Sequence, residues 1–205
     1  MSTRRSVDTM LLVGGNVALD FINTVDVRND GFGPDYLHIY RDLIVFAERT
    51  GLLDSDDLQT LAHVAREHPR EAEIALSRAK AFRELLYRLC RAEFSGEAIA
   101  QEDLDALHKT VLNAMAGRVL IATSHHLHYQ WRSVEDLDLP THALALAAHD
   151  LLLVRGARRP IQECPGRRCG WVFLDTSRGG KRRWCSDKTC GTASRISKFR
   201  AHAVD

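Results

Sequence analysis

Four cysteines near the carboxyl end constrain this chain more than any other feature. They lie in "CPGRRCGWVFLDTSRGGKRRWCSDKTC" as Cys164, Cys169, Cys185 and Cys190, a C-x4-C-x15-C-x4-C pattern. Two close pairs joined by a segment able to fold back suit a tetrahedral ion held by sulfur at ~2.3 Å. Four thiolates fill every ligand position, so the spacing predicts one structural Zn2+ rather than a catalytic one. A zinc deaminase would add an H-x-E motif, and none of the ten histidines has Glu two residues later.

The residues between the pairs fit that scheme. "WVFLD" has the aromatic and β-branched content of a strand, "TSRGGK" has turn chemistry, and "RRWC" is expected to return as the second strand of a hairpin. After Cys190, "GTASRISKFRAHA" reads as a helix, with Ala193, Ile196, Phe199 and Ala203 expected on a packed side. Arg195, Lys198 and His202 then project from the other side.

Charge separates the chain in the same place. The whole carries +1, yet residues 155–205 hold thirteen Lys or Arg against four Asp or Glu. That part is near +9 and the preceding part near −8, an asymmetry that points to a polyanionic partner. Arg178, Lys181, Arg182, Arg183, Arg195, Lys198 and His202 are the expected phosphate contacts for double-stranded DNA. The other reading is that these cations dock onto an acidic protein or onto the acidic N-terminal part.

Clustered cysteines act as ligands where thiols stay reduced. "MSTRRSVDTMLLVGGN" has only a short apolar stretch and no convincing cleavage site. No run approaches 18 apolar residues. A cytoplasmic protein with no membrane partner is therefore expected.

Residues 1–155 read as a mostly helical α+β domain carrying a small hairpin, with residues 156–205 as the zinc module. "TMLLV" reads as a short strand ended by Gly14-Gly15. Helical spacing follows at Ala18, Phe21, Ile22 and Val25, then at Leu37, Tyr40, Ile44 and Ala47, stopped by Gly51. Ser55 opens another helix, Pro69 sits at a first helical position, and a long amphipathic stretch runs to Gly96. A further helix spans 102–116, and Pro140 begins the last one of this part. "RVLIATSHHLHYQWR" alternates, which predicts a hairpin with Leu127, Tyr129 and Trp131 on a buried face. His126, His128 and Gln130 then face solvent, so alternation argues against a metal site at His125, His126 and His128. Cys90 reads as a core thiol. Asp20, Asn23 and Thr24 interrupt an apolar helix; they either bond backbone groups or line a small-ligand pocket. No nucleophile, base and orienting group appear together, so no enzyme is expected, an Asp20-based pocket being the rival.

"CGWVFLDTSRGGKRRWCSDKTCG" resembles the CGNR zinc finger, a treble-clef-like module. "ALDFINTVDVR" resembles the Leu-Asp-Phe-x-Asn-Thr signature that opens the ABATE domain. Together the two resemblances imply a bacterial stress-response or ligand-sensing transcription regulator. Its metal ligands would be Cys164, Cys169, Cys185 and Cys190, its sensor motif Asp20, Asn23 and Thr24, and a homodimer is compatible with that role. The Asn-Arg of the finger's name is replaced here by Thr192-Ala193, which removes a cation from the start of the expected recognition helix.

Overall fold

The computed structural model describes residues 5–29, 31–154, 156 and 158–202, the side chain of His202 excepted. Its helices are α1 (Val17–Ile22), α2 (Tyr40–Thr50), α3 (Ser55–Glu67), α4 (Pro69–Ser95), α5 (Gln101–Ala116), α6 (Leu139–Leu153) and α7 (Thr192–His202). Its strands form two antiparallel pairs, β1 (Arg118–Ala122) with β2 (Leu127–Trp131), and β3 (Ile161–Glu163) with β4 (Val172–Leu174).

The helices form where periodicity and capping agree. Asn16 caps α1 by accepting from the Ala18 amide. Six residues are too few for a stable isolated helix, so α1 persists because five of them are buried. Gly51 and Gly96 end α2 and α4 with φ of 64° and 73°, a left-handed conformation that a Cβ would strain. Pro69 begins α4, where its missing N–H is not needed. α6, apolar almost all round, packs against α1, α2, α4 and α5.

The core is continuous. It runs from Phe21 and Phe46, whose rings lie 5.6 Å apart, through Leu86 and Leu144 to Val172, Phe173 and Cys185. The cysteine-bearing part is thus packed into the helical layer.

Four local expectations are corrected. Residues 9–13 form no strand, and Thr9 instead closes a 3-10 turn, Val7–Thr9. β4 pairs with Ile161–Glu163 rather than with "RRWC", which places the first cysteine pair inside the hairpin's turn. The β1–β2 hairpin forms in the expected place and Trp131 packs half-buried against the core, yet the rest of its apolar face is open, with Leu127 69% and Tyr129 45% exposed. α7 also forms, but Phe199 is 77% exposed and Ile196 48%. Its main packing partner is the π turn Asp187–Gly191 that leads into it.

Candidate metal centre and its seam with the helical layer

The four cysteine sulfurs all lie within 4.8 Å of one another. Cys169 and Cys185 Sγ are 3.5 Å apart, and Cys185 and Cys190 Sγ 3.6 Å. Sulfurs at the corners of a tetrahedron with ~2.3 Å bonds to zinc stand about 3.8 Å apart. The set therefore fits one Zn2+. Thiols so close cannot all ionise by themselves, and hydrogen bonding with Cys164 and Cys169, then burial, holds Cys185 far above the ordinary thiol range. A divalent cation supplies the charge that lets all four bind as thiolates.

Each ligand is positioned by local chemistry. Cys164 follows β3, and its N–H donates to the Trp171 carbonyl at 2.8 Å. Gly166 leaves room at the cluster: a Cβ there would come within 3.0 Å of Cys169 Cβ and 3.1 Å of Cys190 Sγ. Cys190 lies in the π turn, just before the positive end of α7.

Residues 13–29 run alongside this module and are hydrogen-bonded to it repeatedly. The Leu174 N–H donates to the Gly14 carbonyl (2.8 Å), and the Arg28 N–H to that of Cys169 (2.8 Å). Trp171 Nε1 donates to the Val25 carbonyl at 2.7 Å. Asn29 Nδ2 reaches the carbonyls of Cys164 and Gly166 at 3.3 and 3.1 Å. Asn23 does most. Its Nδ2 donates to the Val172 carbonyl and its Oδ1 accepts from the Val172 N–H, both at 2.9 Å, as a neighbouring strand would.

Asp20 and Thr24 are likewise bound to protein partners. Asp20 Oδ1 accepts from the Gly14 N–H at 2.7 Å. Burial pushes its carboxyl up to about 6, against the pull of the Gly14 and Val13 amides and of Arg182 and Arg49. Thr24 Oγ1 donates to Phe21 O (2.7 Å) and accepts from Arg83 Nη1 (2.9 Å). Arg83 is fully buried and forks onto both Asp35 oxygens at 2.9 Å. Burial alone would raise the Asp35 carboxyl, but Arg83's hydrogen bonds and charge outweigh it and hold it low. Of the two alternatives for Asp20, Asn23 and Thr24, these contacts favour backbone bonding.

The expected phosphate contacts divide. Arg178, Lys181 and Arg183 are exposed on the turn after β4, and Arg183 lies 5.3 Å from the Trp184 ring centre. Arg182 turns inward: four carbonyls, those of Val13, Leu174, Trp184 and Cys185, accept from its guanidinium. It also stacks 4.3 Å over the Phe173 ring, so it braces the module. Arg195 is exposed but paired with Asp187 at 2.9 Å. Lys198 is exposed. The side chain of His202 and the whole of Ala203 lie outside the described residues. Arg167 and Arg200, both exposed, were missed by sequence reasoning, although "PGRRC" already put an arginine pair between two ligands. Cys90 is buried in the core, and burial pushes its thiol up to about 12. His125, His126 and His128 are all exposed.

A cleft of about 1010 Å3 separates α7 from the body. Ala193, Ser194, Ser197 and Lys198 line one wall, with Leu11, Val27, Pro34, Tyr36 and Trp171 across from them. Trp184 and three of the cysteines reach it as well. Asp20, Asn23 and Thr24 do not line it.

Residues 161–203 match the CGNR zinc finger, and residues 15–155 match ABATE, described as "Putative stress-induced transcription regulator". The chain belongs to the ABATE family. No curated protein matches it. The ABATE match contains the Asp20, Asn23 and Thr24 segment, and the finger match contains all four cysteines. In this ABATE protein, then, the seam joins the two matched regions.

Proposed function

We propose that the protein regulates transcription by binding duplex DNA through its zinc module. The observation that carries this reading is a set of exposed cations on a metal-held frame. Arg167, Arg178, Lys181, Arg183, Lys198 and Arg200 are exposed, and none has an ion-pair partner among the described residues. Such a set suits phosphates, whose binding releases counterions and weakens steeply with salt. Arg195 joins it if DNA competes with Asp187, while Arg182 holds the frame. A small ligand would act from the cleft beside α7, since an occupant there touches both the body and the helix that faces DNA. To switch the protein, it must bind two settings of α7 with different affinity. Reduced cysteines fit the cytoplasm.

Fluorescence anisotropy of the zinc-loaded protein on genomic fragments and on random duplex, at two salt concentrations, tests this reading. Salt-sensitive binding with a preference for some fragments is expected. Lys181→Glu with Arg183→Glu should weaken binding to every duplex and flatten the salt dependence by about two phosphate contacts. Absence of binding to any duplex rejects the proposal. It would favour a protein-docking module, a reading that the bare Ile196 and Phe199 side of α7 also supports.

A further inference from the structure

The β1–β2 hairpin has an outer edge that nothing in the described chain covers. Thr123 N–H donates to His126 O at 2.9 Å, and Arg132 N–H to Gly117 O at 2.9 Å. In an antiparallel ladder, opposed pairs alternate between exchanging bonds and turning their polar groups outward. With the observed register, the hydrogen-bonded pairs are 117 with 132 (by the Arg132 N–H alone, since that of Gly117 donates to Asn113), 119 with 130, 121 with 128 and 123 with 126. The N–H and C=O groups of Leu127, Tyr129 and Trp131 therefore point away from β1. Among the described residues the sheet has two strands.

Monomeric proteins blunt such edges with lysine, proline, inward charge or a bulge. Residues 118–132 contain no Lys, Pro, Asp or Glu, their two arginines, Arg118 and Arg132, stand at the open end of the hairpin, and the register runs without a bulge. The edge is also apolar on one side, through Leu127 and Tyr129, with Leu120 beside them on β1. The adjoining end of α5 adds exposed Leu112 and Met115. The Arg118 guanidinium lies over the Tyr129 and Trp131 rings on this face, 4.6 and 5.3 Å from their centres.

We infer that β2 pairs antiparallel with β2 of a second copy, on a two-fold axis at Tyr129, to form one four-stranded sheet. The strand sequence selects this occupant because Leu-His-Tyr-Gln-Trp has the same alternation in both directions. Tyr129 meets the partner's Tyr129, and Leu127 meets the partner's Trp131, all on the apolar side. His128 meets the partner's Gln130 on the other side, so no like charges stand directly opposite. The outward groups of Leu127, Tyr129 and Trp131 find partners in this register and no other centred on the strand. A two-fold pairing uses the same surface on both copies and closes without further growth. It does not depend on DNA binding.

Sedimentation of the zinc-loaded full chain across a range of concentrations, with amide hydrogen exchange, tests it. The wild type is expected to show twice the single-chain mass, with the amides of Leu127, Tyr129 and Trp131 protected. That protection should fade on dilution, whereas the inward amides of His128 and Gln130 stay slow. Tyr129→Pro deletes an outward N–H, leaves the inward ladder donors in place, and should weaken association by about tenfold or more. Tyr129→Val keeps the N–H and should still pair. A wild type that stays monomeric overturns the inference, as does rapid exchange of the outward amides at every concentration. Because exchange is read on the wild type, a misfolded proline variant would not obscure the answer.

Discussion

Cys164 and Cys169 sit in the turn of a hairpin whose turn and second strand, β4, are hydrogen-bonded to residues 14–29, while Cys185 and Cys190 lead into a helix that packs mainly on its own entry turn. On the first side Val172 and Phe173 are fully buried, and Gly14, Asn23, Val25, Arg28 and Asn29 are all hydrogen-bonded across the seam. On the second, Phe199 and Ile196 face solvent, and of the nearby cations Arg195 pairs with Asp187 while Lys198 and Arg200 have no ion-pair partner among the described residues. Four sulfurs join the two sides. The anchored side keeps its structure through burial and hydrogen bonds, whereas the free side depends on the metal to hold α7 in place. A module built this way can present a helix to a partner without that helix contributing to the core.

Metal removal should break the contrast most visibly. Structural zinc in small modules carries on the order of 10 kcal/mol of folding free energy. In Cys185→Ser, hydrogen exchange should show α7 and the turn before it unprotected, with the β3–β4 ladder and α1 still slow. Equal loss of protection on both sides would mean that the seam, too, relies on zinc. A smaller effect is expected from Asn23→Ala, which strands the Val172 N–H and C=O in the interior. Unpaired groups there cost ~1–3 kcal/mol each, so urea unfolding should report a loss of about 3 kcal/mol. A loss below about 1 kcal/mol would show that the seam is not cooperative with the core. Least of all should follow from Phe199→Ser. Stability should stay within about 0.5 kcal/mol, and a larger drop in thermal midpoint would place α7 against the body after all.

Local regularities made much of this legible. Helical spacing at Ala18, Phe21, Ile44 and Ala47 located α1 and α2, Pro69 and Gly96 bounded α4, and the sulfur spacing announced a metal site. What escaped is nonlocal. Asn23 behaves as a strand edge toward a residue 149 positions away, and nothing in "DFINTV" names that partner. β3 is three residues long, too short for periodicity to register, yet it displaces "RRWC" as the mate of β4. Arg83 lies in a helix full of charges, and only the fold shows that Thr24 and Asp35 enclose it. Arg182 was indistinguishable from its neighbours Lys181 and Arg183, because burial by Val13 and Phe173 is a property of assembly. Alternation in the β1–β2 hairpin and periodicity in α7 correctly gave an apolar side, but periodicity cannot say whether that side meets its own chain.

The pairing of Asn23 with Val172 also sets a clock on synthesis. The amide that completes the hairpin emerges from the ribosome 149 residues before the strand it must meet. At ~5–20 residues per second that interval is on the order of ten seconds. Throughout it, the side chain of Asn23 and the carbonyls of Gly14 and Val25 must wait in water or in borrowed contacts. The zinc-binding region, made after the helical layer, is thus also what completes its first helix.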